Sequence, residues 1–330
     1  MSTFSAASLQ NTAPDPTRHV NYSQGMVLGV DDFIQEFAYL NGRGQWLARD
    51  LLGYGTLCGL QVFVKTDADG PVVHVTAGTA VNPRGQLIRV PLEQCANLKK
   101  WLAVKTNQQA LAATSALPPA KLYVVLCYRA CPTDDVPIPG EPCRSEEELS
   151  APSRWTDDFK LELRTEPPDQ CEEEAVRAFT KWLNAHLEIG EYASMPLDDF
   201  KNAIRNAAQP LSSPPCPSPE FAFESPPAML VINTADANRY LRAAFLVWVT
   251  ELRPRWRARL LPSEVGCSSA ATGQETVNAW ECVLLAELDF SATPEWEIAG
   301  SVTVNEDQRP YLLHLRMQQE WLLRKGVYQE

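Results

Sequence analysis

Residues 31–65 read DDFIQEFAYLNGRGQWLARDLLGYGTLCGLQVFVK, and the hydrophobic period changes once along them. Phe33, Phe37, Leu40, Gly44, Leu47 and Leu51 recur at spacings of four and three, which places them on one helical stripe. Asp31 and Asp32 stand ahead of the run as N-cap candidates, and Glu36, Arg43 and Asp50 fall off the stripe. Gly53-Tyr54-Gly55 supplies the stop, because glycine accepts the left-handed conformation past a helix end. From Leu60 the period drops to two: Leu60, Val62 and Val64 alternate with Gln61, Phe63 and Lys65, as in a strand. The expected fold class is α+β, with a β-rich core of short antiparallel strands and peripheral amphipathic helices. The helical stripe is expected to pack on the β-unit after it, with Gly44 at the closest backbone approach.

The same reading extends along the chain. Asp67–Gly70 and Asn82–Gly85 are turn signals, with strands at Val73–Val75 and Leu87–Val90. Leu122–Tyr128, Phe159–Leu163, Trp280–Phe290 and Trp296–Val304 read as further strands. Helices are expected over Glu172–Leu187, over Asp236–Leu252, and from Pro310 to about Arg324. Five prolines between Pro132 and Pro152 argue against a regular element there. Seven more between Pro210 and Pro227 mark a stiff loop. The expected organisation is a flexible arm over residues 1–20, a helix-plus-β domain over 21–168, and a mixed α/β domain over 169–330 that carries the Pro-rich loop 210–227.

A chain of 330 residues with 45% apolar content is globular rather than disordered. Its formal net charge of −12 repels phosphate backbones, so no nucleic-acid partner is expected. Charge is uneven: Cys131–Ala175 holds fourteen acidic and four basic residues, and Arg239–Arg259 holds six arginines and one glutamate. Met1–Arg18 has no apolar segment of a signal peptide. The most apolar run, Ala243–Val249, is far shorter than the roughly 20 residues that span a bilayer. Nine cysteines, an odd number without a signal, favour reduced thiols and a cytoplasmic location.

Candidate chemistry is sparse. Cys127 and Cys131 could share a strand face, and Cys143 and Cys171 follow, but the second close pair of a zinc site is missing. Four histidines, His19, His74, His186 and His314, come without a nucleophile-elbow or zinc-peptidase motif. The carboxylate pairs Asp31-Asp32, Asp134-Asp135, Asp157-Asp158 and Asp198-Asp199 are better explained by helix capping and solvation. The glycine-rich run Gly53–Gly59 follows a helix and precedes a strand, the reverse of a phosphate loop. No catalytic, cofactor-binding or metal residue is assigned, no cofactor is expected, and the chain is read as a non-enzyme.

Three segments carry a resemblance. Tyr22–Phe33 reads Y-x-x-G-M-x-L-x-x-x-D-F, and Gly53–Val62 reads G-x-G-x-x-C-G-L-x-V. Ala77–Ile88 follows P-G-x-A-x-D-x-x-G-R-x-I, with Ala77, Asn82 and Gln86 departing from it. The chain resembles bacterial proteins encoded with phage-tail-like contractile injection systems. Tyr123–Arg154, with Pro137, Pro139, Gly140, Pro142 and Cys143, and Arg309–Arg316, with Gln319 and Glu320, are similar to the same group. The resemblance implies a structural subunit at the baseplate or its periphery, in several copies, touching other subunits of the particle. An adaptor that tethers the particle to cargo or a membrane surface, and a hydrolase or thiol enzyme, are the alternatives. The arm 1–20 and the loop 131–152 are expected to be ordered by neighbouring subunits.

Overall fold

A computed structural model of the chain describes residues 17–114, 120–137, 150–168, 170–208, 223–254, 282–293 and 296–320. In chain order the first elements are α1 (Val30–Leu47), continued by a π-helical turn Ala48–Leu52, then β1 (Gly55–Gly59), β2 (Val62–Asp67), β3 (Gly70–Val75), β4 (Gly78–Val81), β5 (Leu87–Val90) and β6 (Gln94–Asn97). Next come α2 (Leu98–Leu102), α3 (Lys105–Thr114), β7 (Ala120–Pro137), β8 (Ser150–Arg164), α4 (Cys171–His186), β9 (Leu187–Gly190), α5 (Leu197–Ala207) and β10 (Leu230–Asn233). The last are α6 (Ala237–Val247) with a π-helical turn Trp248–Leu252, β11 (Cys282–Ala292) and β12 (Ile298–Asn305). The fold class is α+β. Among the described residues no helix is long and apolar enough to cross a membrane.

Contacts divide the chain into two units, one built on Pro14–Pro168 with Glu275–Glu330, the other on Asp169–Gln274. The expected 169–330 domain is therefore split. The reason lies in β11, where Cys282 to Ala286 are all buried. A strand buried on both faces needs a covered sheet, and β11 finds one by pairing antiparallel with β7, from Cys282 against Cys127 to Phe290 against Ala120.

The larger unit holds three antiparallel sheets, ordered β1-β4-β5, β2-β3-β6 and β12-β11-β7-β8. Their inner faces share one core with α2 and α3, centred on Leu60, Ile88, Leu98, Leu111, Leu122, Leu126 and Leu288. The β7–β8 ladder runs on to Pro137 against Ser150, well past the last β11 partner at Cys127. The expectation of irregular chain from Pro132 is corrected for residues 132–137 and 150–152. Beyond Cys127 the ribbon has only two strands, so alternate N–H groups have no ladder partner and proline removes no bond. Residues 138–149, with Cys143, lie outside the described set.

The expected packing of α1 is also corrected. The helix forms at the predicted place, but none of its residues is buried, and a Cβ at Gly44 would meet nothing within 4 Å. The helix rests on its polar side instead. Gln35 donates to the Arg18 carbonyl (2.6 Å), Glu36 accepts from the Val20 N–H (2.9 Å), and the Asn82–Gly85 turn comes under the Gln45 backbone. Residues 17–20 of the expected free arm are thus held by their own chain, while 1–16 lie outside the described residues. Gly44→Ala is expected to stabilise α1 of the single copy by about 1 kcal/mol, since alanine adds helix propensity and crowds nothing in its own chain. A thermal melt that falls instead would mean that Gly44 is in contact.

The smaller unit packs α4, α5 and α6 around a parallel pair, β10 with β9. Phe200 and Ile204 of α5 are fully buried, and Phe179, Trp182, Phe223 and Trp248 form an aromatic cluster. Arg205 grips Glu251 with two bonds of 2.7 and 2.8 Å, and Arg253 bonds Glu172 (2.8 Å). Arg253 of the basic stretch thus answers an acidic residue of its own unit. Arg255, Arg257 and Arg259, and the Pro-rich loop over 209–222, are outside the described residues.

Candidate functional site

The glycine-rich run and the Arg309–Arg316 segment, about 250 positions apart, meet in the larger unit. Thr56 N–H donates to the Pro310 carbonyl and Leu312 N–H to the Thr56 carbonyl, both at 2.9 Å. This parallel bridge explains why the C-terminal helix begins at residue 315 and not at Pro310 as expected. Arg309 seals the junction. Its side chain is 2% exposed, and it donates to Thr56 Oγ1 (2.9 Å), the Gly59 carbonyl (3.1 Å) and Glu306 Oε1 (2.9 Å). Burial raises the Tyr311 hydroxyl pKa, the nearby Arg309 charge opposes that rise, and Glu306 adds to it. The arrangement holds chain to chain and leaves Arg309 committed to that work.

The described cysteines go to separate places. Cys127 and Cys282 form a disulfide between directly opposed positions of β7 and β11. The expectation of reduced thiols throughout is corrected for this pair, since register alone brings the two side chains together. Arg164 Nη2 lies 3.2 Å from the Cys127 sulfur and 3.5 Å from that of Cys282. Cys131 turns to Asp158 (3.6 Å), while Cys58 and Cys95 are free and exposed. No group of three His, Cys, Asp or Glu side chains that could hold an ion occurs among the described residues.

A cleft of about 740 Å³ lies between the β2-β3-β6 sheet and β7–β8. Val73, Val124, Leu161, Leu163 and Trp101 give it apolar lining; Lys160, Glu162 and Arg164 supply the charge. Burial by itself would raise the Glu162 carboxyl, but hydrogen bonds from Lys160 and Arg164 outweigh it and hold the group below the usual range. Both cations are thereby occupied by one carboxylate, at 2.5 Å each.

On another face of β3 and β6, His74 and Cys95 are cross-strand partners, and Glu93 Oε1 sits 2.7 Å from His74 Nδ1. The order acid, imidazole, thiol has the elements of an activated cysteine. Yet the imidazole stacks on Phe63 (5.0 Å), and no hydrogen bond joins it to the thiol. The other histidines serve locally. His186 Nδ1 is 2.8 Å from the Trp182 carbonyl, His314 Nδ1 accepts from Arg316 N–H, and His19 lies on Tyr39. The acidic pairs are likewise engaged nearby: Asp32 accepts from Gly29 N–H (2.8 Å), Asp134 pairs with Arg154, and Asp157 accepts from Tyr128 Oη (2.6 Å).

Among the described residues, two exposed apolar surfaces bear on partners. The outer ribbon carries Trp155, 73% exposed and opposite Pro132. The outward face of α1 carries Phe33, Phe37, Leu40 and Leu47, each at least 60% exposed. Sequence reasoning identified the second stripe but assigned it to the core; Trp155 offered no periodic signal. No protein-family profile matches the chain, and no curated protein matches it in sequence.

Proposed function

We propose that this protein is a structural subunit of a phage-tail-like contractile injection particle, at the baseplate or its periphery, acting through protein–protein contacts and not as an enzyme. The observation that carries the contact reading is the outer β7–β8 ribbon. Its two-stranded part spans about 30 Å at some 3.4 Å per residue, and it presents Trp155 to solvent. A large exposed aromatic on a projecting element has the properties of an interface anchor. Asp134, Asp135, Asp157 and Asp158 outnumber Arg129 and Arg154 on this part of the ribbon, so the proposed partner surface is basic. The particle itself is proposed on the sequence resemblance. The cytoplasm is the proposed compartment, because Cys58 and Cys95 are exposed free thiols that an oxidising compartment would modify or pair, whereas the Cys127–Cys282 disulfide is fully buried.

The test is recovery of particles from cells that express the tagged chain. The chain is expected to cosediment with sheath and tube, and its ribbon to resist protease in the particle but not in the free protein. Trp155→Ala should reduce incorporation about tenfold or more, as loss of an anchor does. A chain that never sediments with particles, in cells that make them, overturns the reading.

A further inference from the structure

The α1 stripe has a strict repeat. Val30, Phe33, Phe37, Leu40, Gly44 and Leu47 alternate in steps of three and four, the 3.5-residue period of a coiled-coil seam. A helix that serves a globular core shows a wider apolar face. Here the seam points away from the chain, since the polar side of α1 is already bonded to Arg18, Val20 and the Gly85 turn. Val30 is 74% exposed, Phe33 60%, Phe37 70%, Leu40 61% and Leu47 63%. With Ile34 these side chains expose on the order of 600 Å² of apolar surface, at the upper end of what monomers leave open and near the roughly 800 Å² per partner of a stable interface.

We infer that two copies of this chain pair through α1 in antiparallel orientation, with Phe33 of each copy seated over Gly44 of the other. One register satisfies shape and charge together. When Val30 faces Leu47, Phe33 faces Gly44 and Phe37 faces Leu40, the full length of α1 overlaps its copy. The largest side chains then meet the open position, where a Cβ would touch nothing. The flanking Glu36 of one copy meets Arg43 of the other, twice by symmetry. Glu36 keeps its bond to Val20, and Arg43, which gives one donor to Tyr39 Oη, has further donors to spend. Sliding by one heptad instead sets Glu36 against Asp50 and Arg43 against itself, and drives the seam into the π-helical turn at Ala48–Leu52. A parallel pair sets Gly44 on Gly44 and leaves a void. A lipid surface fits poorly, because residues 30–52 carry Asp31, Asp32, Glu36 and Asp50 against only Arg43 and Arg49. The pairing is a property of the isolated chain and does not rest on the particle reading.

The experiment is sedimentation of the full chain across the micromolar range, together with two variants that each add one cysteine. The parent is expected to dimerise with rising concentration. Phe37→Glu should weaken that association about tenfold or more and, at concentrations where the parent is monomeric, leave the melting temperature unchanged, because Phe37 is exposed in the single copy. Phe33→Cys and Gly44→Cys chains, mixed under mild oxidation, should give a 33-to-44 cross-linked peptide that neither variant gives alone. A 33-to-33 link, a dimer indifferent to Phe37→Glu, a chain monomeric throughout the range, or one that floats with anionic vesicles and does not dimerise would each overturn the inference.

Discussion

Arg309→Met is expected to destabilise the larger unit by about 2–3 kcal/mol, the scale of losing the hydrogen bonds of a buried charged donor. The guanidinium is 2% exposed and joins three groups that no other side chain reaches together: Thr56 Oγ1, the Gly59 carbonyl and Glu306. Methionine has similar length and no donor. It would leave Glu306 without its countercharge, although that carboxylate would still accept from Val62 N–H and Tyr311 Oη. Arg309→Lys keeps the charge but loses the fork, and should fall between the parent and methionine. Chemical denaturation of the three proteins gives the comparison. A loss below about 1 kcal/mol for methionine, the scale of one ordinary hydrogen bond, would mean that the bridge between Thr56 and Tyr311 holds without it.

Gly59→Ala should be comparably damaging, by roughly 2–5 kcal/mol, from backbone strain and overpacking together. Gly59 has φ +64°, and a Cβ there would lie 2.1 Å from the Ala77 carbonyl oxygen and 2.9 Å from Gly78 Cα. Both obstacles are backbone atoms at the entry to the paired strand β4, so no rotamer change relieves them. Gly78 opposes Gly59 in register and is crowded in turn by the Cys58 carbonyl. Gly300→Ala is the control. Its φ is +83° but nothing lies within 4 Å, so it carries the conformational part alone. Equal losses at the two positions, measured by denaturant midpoint, would remove crowding from the account.

Much of the local structure was legible because it depends on near neighbours. The change of period between Leu51 and Leu60 marked a helix, a stop and a strand, and all three occur there. The helix Cys171–His186 also follows from its apolar spacing and first-turn glutamates, and the helix Ala237–Val247 was placed by the stop ahead of Pro254. The short helices Leu98–Leu102 and Lys105–Thr114 went unread, as did Leu197–Ala207, whose Asp198-Asp199 pair was taken for capping alone although the helix buries Phe200 and Ile204. Short elements hold few periods, and their stability comes from packing more than from propensity.

By itself the sequence determined the α+β class, the amphipathic character of α1 and the positions where glycine must turn the chain. Periodicity states which residues share a face, and backbone sterics state where a Cβ fails. Neither states what the face meets. Only the tertiary structure decided that α1 stands on its polar side with Phe33, Phe37 and Leu40 outward, that Cys127 finds Cys282, and that Arg309 reaches back to Thr56. The last two join residues more than 150 positions apart. Burial of an apolar stripe lowers the free energy equally well against the chain's own sheet or against another molecule, so hydrophobicity alone cannot choose between them.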